Sequence, residues 1–154
     1  MRLYPSTLAL LLVLTFPSAI AKEPARLPPV AFTLGMLTTF IDTADAYRTL
    51  CAKHVSAGDL QSYVGAWFER NQRLIDQILD VGRKAKWYSS DRSSETVWVE
   101  MRERDAARFR EHVAQVIEPN PKMMCIDGMR PFKDGSYELE YFPFHLKALG
   151  ISVP

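Results

Sequence analysis

The residues best suited to bind a soft metal ion lie in one short segment of the chain. Met123, Met124, Cys125 and Met129 together offer thioether and thiolate sulfurs, which are the ligands that Cu(I) prefers. A disulfide would remove the thiolate, and methionines commonly fill space beside a disulfide. Metal binding by these methionines with the histidines stays open from the sequence, but we expect no resident metal or cofactor.

The three histidines, His54, His112 and His145, are spread over separate parts of the chain. No two of them are four residues apart, the spacing that places two imidazoles on one helix face for zinc. A haem could be held between a histidine and a methionine, but the positions of these residues indicate no such site. The histidines therefore predict no particular metal centre.

Catalytic chemistry has one local candidate, Cys51 with His54, because residues three apart share a helix face. Cys51 lies on an apolar stripe, however, where burial raises the pKa of a thiol and makes it inert. The chain also lacks a G-x-S-x-G motif, an H-E-x-x-H motif and a glycine-rich phosphate loop. We expect no enzymatic activity.

Two polar residues interrupt predicted apolar stripes. Asn71 lies within the stripe of the second helix, where a buried amide either fixes the register of the helix or binds a ligand. Asp105 lies in the third helix between Arg104 and Arg108, and we expect a buried pair with an arginine of another helix. Both residues are interpreted as structural.

An aromatic connection between the second and third helices is the best candidate for a partner contact. Trp87, Tyr88 and Arg92 lie there, and tryptophan, tyrosine and arginine often anchor protein interfaces. The basic residues just before them, Arg83, Lys84 and Lys86, could bind phosphates, although a solvated helix end explains them equally well.

The first 21 residues have the pattern of a cleaved secretory signal peptide. Arg2 precedes an apolar run, and Ala19-Ile20-Ala21 is a small-x-small cleavage site. Cleavage after Ala21 predicts a periplasmic or secreted protein with no stable membrane span. The 154 residues contain 19 Lys and Arg against 18 Asp and Glu. Removal of Arg2 leaves 18 of each, so a nucleic-acid partner is not expected.

Export predicts a disulfide between Cys51 and Cys125, because paired cysteines in an oxidising compartment are normally oxidised. The bond would close a loop of about 75 residues and stabilise the fold by roughly 4–5 kcal/mol.

Apolar periodicity predicts an all-α fold after a proline-containing extended lead-in at residues 22–32. Three long amphipathic helices are expected, near residues 33–55, 59–82 and 95–117, with Thr33 and Asp59 as caps for the first two. Asp127-Gly128 indicates a loop at 123–130, and alternation at 137–141 indicates an extended segment. A short last helix begins at Pro143.

The sequence therefore predicts one small helical bundle at residues 33–154, with an irregular C-terminal segment and one disulfide. We expect an exported, non-enzymatic interaction protein such as an inhibitor, immunity or adaptor module, with an unknown protein partner. The alternative is a carrier that holds a small ligand or metal inside the bundle. The oligomeric state is not predicted.

Overall fold

The computed structural model describes residues 29–87 and 92–153. The predicted signal peptide, most of the proline-containing lead-in and Tyr88 lie outside these ranges. The long helices are α1 (Val30–Cys51), α3 (Ala66–Lys84) and α4 (Ser94–Ile117). The shorter ones are α2 (Ala57–Leu60), α5 (Pro121–Lys133) and α6 (Pro143–Ala148).

The first helix begins three residues earlier than predicted. Pro29 precedes α1, and its carbonyl accepts the first helical hydrogen bond from the Thr33 N–H at 3.0 Å. Thr33 is therefore a buried residue of the first turn and does not cap the helix. The helix ends at Cys51, where the chain turns toward α2.

The second predicted helix is one continuous helical stretch with a change in winding. A π-helical turn at Gln61–Gly65 joins α2 to α3. Ser56 caps the stretch, because its hydroxyl oxygen accepts a hydrogen bond from the Asp59 N–H at 3.0 Å. Asp59, the predicted cap, instead accepts a hydrogen bond from the Ser56 hydroxyl at 2.7 Å.

The loop predicted at residues 123–130 is wrong, because this segment forms α5. Pro121 occupies its first turn, where a missing N–H costs nothing. Asn120 caps the helix by accepting the Met123 N–H. The Asp127-Gly128 pair resembles a turn, but Gly128 lies within the helix because the ring of Tyr47 in α1 packs directly against its backbone.

The segment after α5 is not extended as predicted. It turns at Gly135, forms a single 3-10 turn at Leu139–Tyr141 and enters α6 at Pro143, where the sequence placed the last helix. Gly150 ends α6 with φ at 73°. The Ile151 N–H donates to the Leu146 carbonyl at 2.9 Å, which closes the helix end. No strand occurs in the two described ranges.

The Cys51–Cys125 disulfide is confirmed, with 5.7 Å between the two Cα atoms. Both cysteines are fully buried, so the bond ties the end of α1 to α5 inside the core. In the same core, the rings of Trp67 and Phe132 pack edge to face at 5.3 Å between centroids. The predicted all-α bundle with one disulfide is therefore confirmed.

The described helices were also compared with the requirements of a membrane span. None is both long and apolar enough to cross a bilayer.

The contact between Gly128 and Tyr47 predicts opposite effects for two glycine-to-alanine changes. A Cβ at Gly128 would lie 2.2 Å from the Tyr47 hydroxyl oxygen. Gly128→Ala should therefore lower the free energy of unfolding by about 1–3 kcal/mol, although alanine favours a helix. The control Gly35→Ala in α1 meets nothing within 4 Å and should raise it by about 0.5–1 kcal/mol.

Urea unfolding of both variants measures this difference. Equal stabilisation by the two alanines would contradict the close approach of Tyr47 to α5.

Candidate functional site

Asn71 is buried and uses its whole side-chain amide. Its Nδ2 donates to the Trp67 carbonyl at 3.0 Å and to Glu138 Oε2 at 2.7 Å. Its Oδ1 accepts the main-chain N–H of Leu139 at 3.0 Å. The sequence correctly assigned Asn71 a structural role, since the amide fastens a non-helical segment to α3.

Two neighbours of Asn71 on α3 hold the same segment. Arg70 donates from Nε and Nη2 to Glu138 Oε1, at 2.9 and 2.5 Å, and from Nη2 to the Phe132 carbonyl at 2.9 Å. The indole N–H of Trp67 donates to the Tyr137 carbonyl at 3.0 Å. Trp67, Arg70 and Asn71 are called the α3 clamp below. Because both oxygens of Glu138 are bound, the buried charge is fully compensated.

A solvent-open cleft of about 570 Å³ lies over the clamp. One wall is α3, and the other is the chain from Lys133 to Tyr141 together with Val153. Its lining includes the cations Arg73 and Lys133 and the carboxylates Asp134 and Glu140. The hydroxyl and N–H of Ser136 lower the pKa of Asp134, so that carboxylate is held in its charged form. This space is called the α3 cleft.

A second buried ion pair joins α1 to α4. Arg102 donates from both terminal nitrogens to the two oxygens of buried Asp42. The sequence predicted such a pair for Asp105, and that assignment is wrong. Asp105 is only partly buried and forms no ion pair within the described ranges. The arginine of the buried pair is Arg102 of α4, whose guanidinium also lies 5.8 Å from the centroid of the Trp98 ring, a cation–π contact.

The predicted partner-contact residues have separate surroundings. Trp87 is half-buried, stacks on Trp98 at 5.4 Å between centroids and donates its indole N–H to the Gly82 carbonyl at 2.8 Å. Arg92 is exposed and pairs with Glu100. Tyr88 lies outside the described residues. Trp87 thus contributes to internal packing, and its contact with a partner stays a prediction.

The sulfur residues considered for copper do not converge. The disulfide holds Cys125, Met129 is fully buried in the core, and Met123 is exposed. Within residues 29–87 and 92–153, no three His, Cys, Asp or Glu side chains are grouped closely enough to hold a metal ion.

Exposed aromatic side chains lie close together where α6 packs against the start of α1. Phe32 is 63% exposed and Phe144 is 41% exposed. Their ring centroids lie 6.5 and 5.9 Å from that of His145. The His145 Nδ1 atom is buried and has no hydrogen-bond partner in the described part of the chain. Phe32, Phe144 and His145 are called the aromatic patch.

Sequence reasoning missed the aromatic patch and most of the cleft. The sequence places Phe32 in an extended lead-in and Glu138 in an extended segment. The sequence does show that Arg70, a cation, directly precedes the buried amide Asn71. That adjacency could have indicated that both side chains bind the same segment.

Comparison with known proteins gives no relative. No family model, no curated protein and no solved structure matches the chain.

Because the α3 clamp depends on Asn71, removing its amide should lower the free energy of unfolding substantially. Asn71→Leu would leave the Leu139 N–H and Glu138 Oε2 without their partner. The free energy of unfolding should fall by about 2–4 kcal/mol, measured by urea denaturation. The matched control is Gln72→Leu, which removes an exposed amide one residue away and should change it by less than about 0.5 kcal/mol. Equal effects of the two variants would refute the clamp.

Asp42 predicts a specific pH dependence of stability. Burial raises the pKa of Asp42 above its usual 3.8, against the opposing effect of Arg102. The native state therefore holds this proton at a higher pH than the unfolded state does. The resulting stabilisation is fully present below the unfolded pKa and is lost as the pH rises through the folded pKa.

The measurement is urea unfolding of the wild type and Asp42→Asn from pH 7 to pH 4. We expect the wild type to gain stability relative to Asp42→Asn as the pH falls. The wild type should show no such gain relative to the control Asp76→Asn, which removes an exposed carboxylate of α3 and keeps Asp42. A relative loss by the wild type would mean that the Arg102 ion pair outweighs burial.

Proposed function

We propose that this protein is an exported, non-enzymatic interaction protein that binds a partner protein through the aromatic patch. The observation that carries the proposal is the exposure of Phe32 and Phe144 around one histidine ring. Single exposed apolar residues are normal, but adjoining ones often mark a contact surface. Aromatic anchors of this kind contribute most of the binding energy at many interfaces.

Export is supported by the sequence pattern of residues 1–21, with cleavage after Ala21 and a periplasmic or secreted destination. The buried disulfide fits an oxidising compartment. The equal numbers of acidic and basic residues after Ala21 favour short-range recognition of a protein over steering of a polyanion. An inhibitor, immunity or adaptor role would use these properties.

The absence of catalysis is supported by the state of the buried carboxylates. Glu138 accepts hydrogen bonds on both oxygens, and Asp42 is paired with Arg102 through both of its oxygens. A general base needs a free lone pair directed at substrate. The interior positions that a carrier would need are filled by buried Trp67, Met129 and Phe132, so the interaction role has the stronger support.

The experiment is affinity capture from an envelope extract of cells that produce the protein. The baits are the wild type, the double variant Phe32→Ser/Phe144→Ser and the control Val99→Ser. Val99 is 45% exposed on α4, so its replacement removes similar apolar surface elsewhere.

We expect one protein to be captured by the wild type and by Val99→Ser. The double variant should bind that partner at least about 30-fold more weakly, as expected for the loss of interface anchors. Failure of the wild type to retain any specific protein, or equal capture by all three baits, would refute the proposal.

A further inference from the structure

One face of α3 lines a second cavity as well as the α3 cleft. Arg70, Arg73, Gln77 and Asp80 are spaced three or four residues apart and so lie on the same side of the helix. A second open cavity of about 350 Å³ adjoins the cleft, and Arg73 lines both. The two cavities form one groove, called the α3 groove, which runs for about 15 Å along the helix at 1.5 Å per residue.

The wall opposite α3 offers free main-chain groups. Residues 151–153 follow α6 without forming a helix, and Ser152 is exposed. The N–H groups of Ser152 and Val153 donate to no main-chain acceptor in the described ranges. Unpaired main-chain donors along a groove are what an added extended peptide uses for binding.

Arg73 is a cation without an ion-pair partner in the described ranges, and it lies where the two cavities meet. It is exposed and pairs with no carboxylate among the described residues, whereas Arg70 is bound to Glu138. At the far end, Asp80 is paired with Lys84 at 2.6 Å. At the α5 end of the cleft, Lys133 lies with Asp134 and Glu140, so cations and carboxylates are mixed there. An acidic group is therefore favoured at Arg73.

We propose that the α3 groove binds an extended peptide segment of the partner, with an acidic side chain of that segment paired to Arg73. This inference rests on the proposed interaction function and names the chemistry of the partner. The groove length accommodates about four or five extended residues. Tyr141, 63% exposed at the cleft end, supplies an apolar face for one of them. Tyr141 in the cleft wall and Phe144 of the aromatic patch are three residues apart in the sequence.

The test uses a phage-displayed library of random dodecapeptides, selected on the disulfide-bonded chain. Enriched peptides are synthesised, and their Kd is measured for the wild type, Arg73→Gln and the control Arg108→Gln. Arg108 is an exposed arginine of α4, so the control removes the same charge outside the groove. Thermal melting confirms that both variants fold like the wild type.

We expect enriched peptides to share an acidic residue, and Arg73→Gln to weaken binding at least about tenfold, as for loss of a charged hydrogen-bonding partner. Arg108→Gln should bind like the wild type. Lack of enrichment, enriched peptides without an acidic residue, or equal binding to Arg73→Gln would overturn the inference.

Failure of the groove is distinguishable from failure of the proposed function. If a partner is captured through Phe32 and Phe144 but binds Arg73→Gln at full strength, only the groove assignment is wrong. If no partner is captured at all, the interaction function itself is wrong.

Discussion

The buried amide of Asn71 fastens residues 137–139, which connect α5 to α6, onto α3. With Trp67 and Arg70 it binds the main chain or side chains of Tyr137, Glu138 and Leu139. An unfastened segment here would leave buried polar groups without partners, at a cost of about 1–3 kcal/mol for each. The fastened segment leads into α6, which carries Phe144 and His145 and which itself packs on α1. The clamp therefore forms the floor of the α3 cleft and holds the chain just before α6.

The disulfide holds α5, the helix that precedes the clamped segment. Cys51 and Cys125 are 74 residues apart in sequence, so the bond removes much of the freedom of the unfolded chain. It also anchors α5, whose residue Phe132 offers its carbonyl to Arg70 of the clamp. The disulfide thus holds α5, and the hydrogen bonds from α3 hold residues 137–139, which follow α5 in the chain. Together they leave the α3 cleft with preformed walls, which would lower the entropy cost of binding the proposed peptide.

Sequence periodicity was sufficient for the long helices, because each buries a stripe of side chains at helical spacing. It also placed Cys51 on a buried stripe and Asn71 in a structural role. It failed for α5, since Gly128 has the low helix propensity of a turn residue and only its contact with Tyr47 explains its place in a helix. It did not predict the ion pair between Asp42 of α1 and Arg102 of α4, because which charges meet depends on how the two helices pack. The aromatic patch was missed because it forms only when α6 folds back on α1.

The most direct test of the clamp as the organising interaction is native-state hydrogen exchange at the Leu139 amide. This N–H belongs to a short 3-10 turn, yet it donates to buried Asn71. We expect it to exchange only by global unfolding, with protection equal to that of the core amides of α3. Exchange at the rate of an exposed turn amide, such as that of Glu140, would contradict the account.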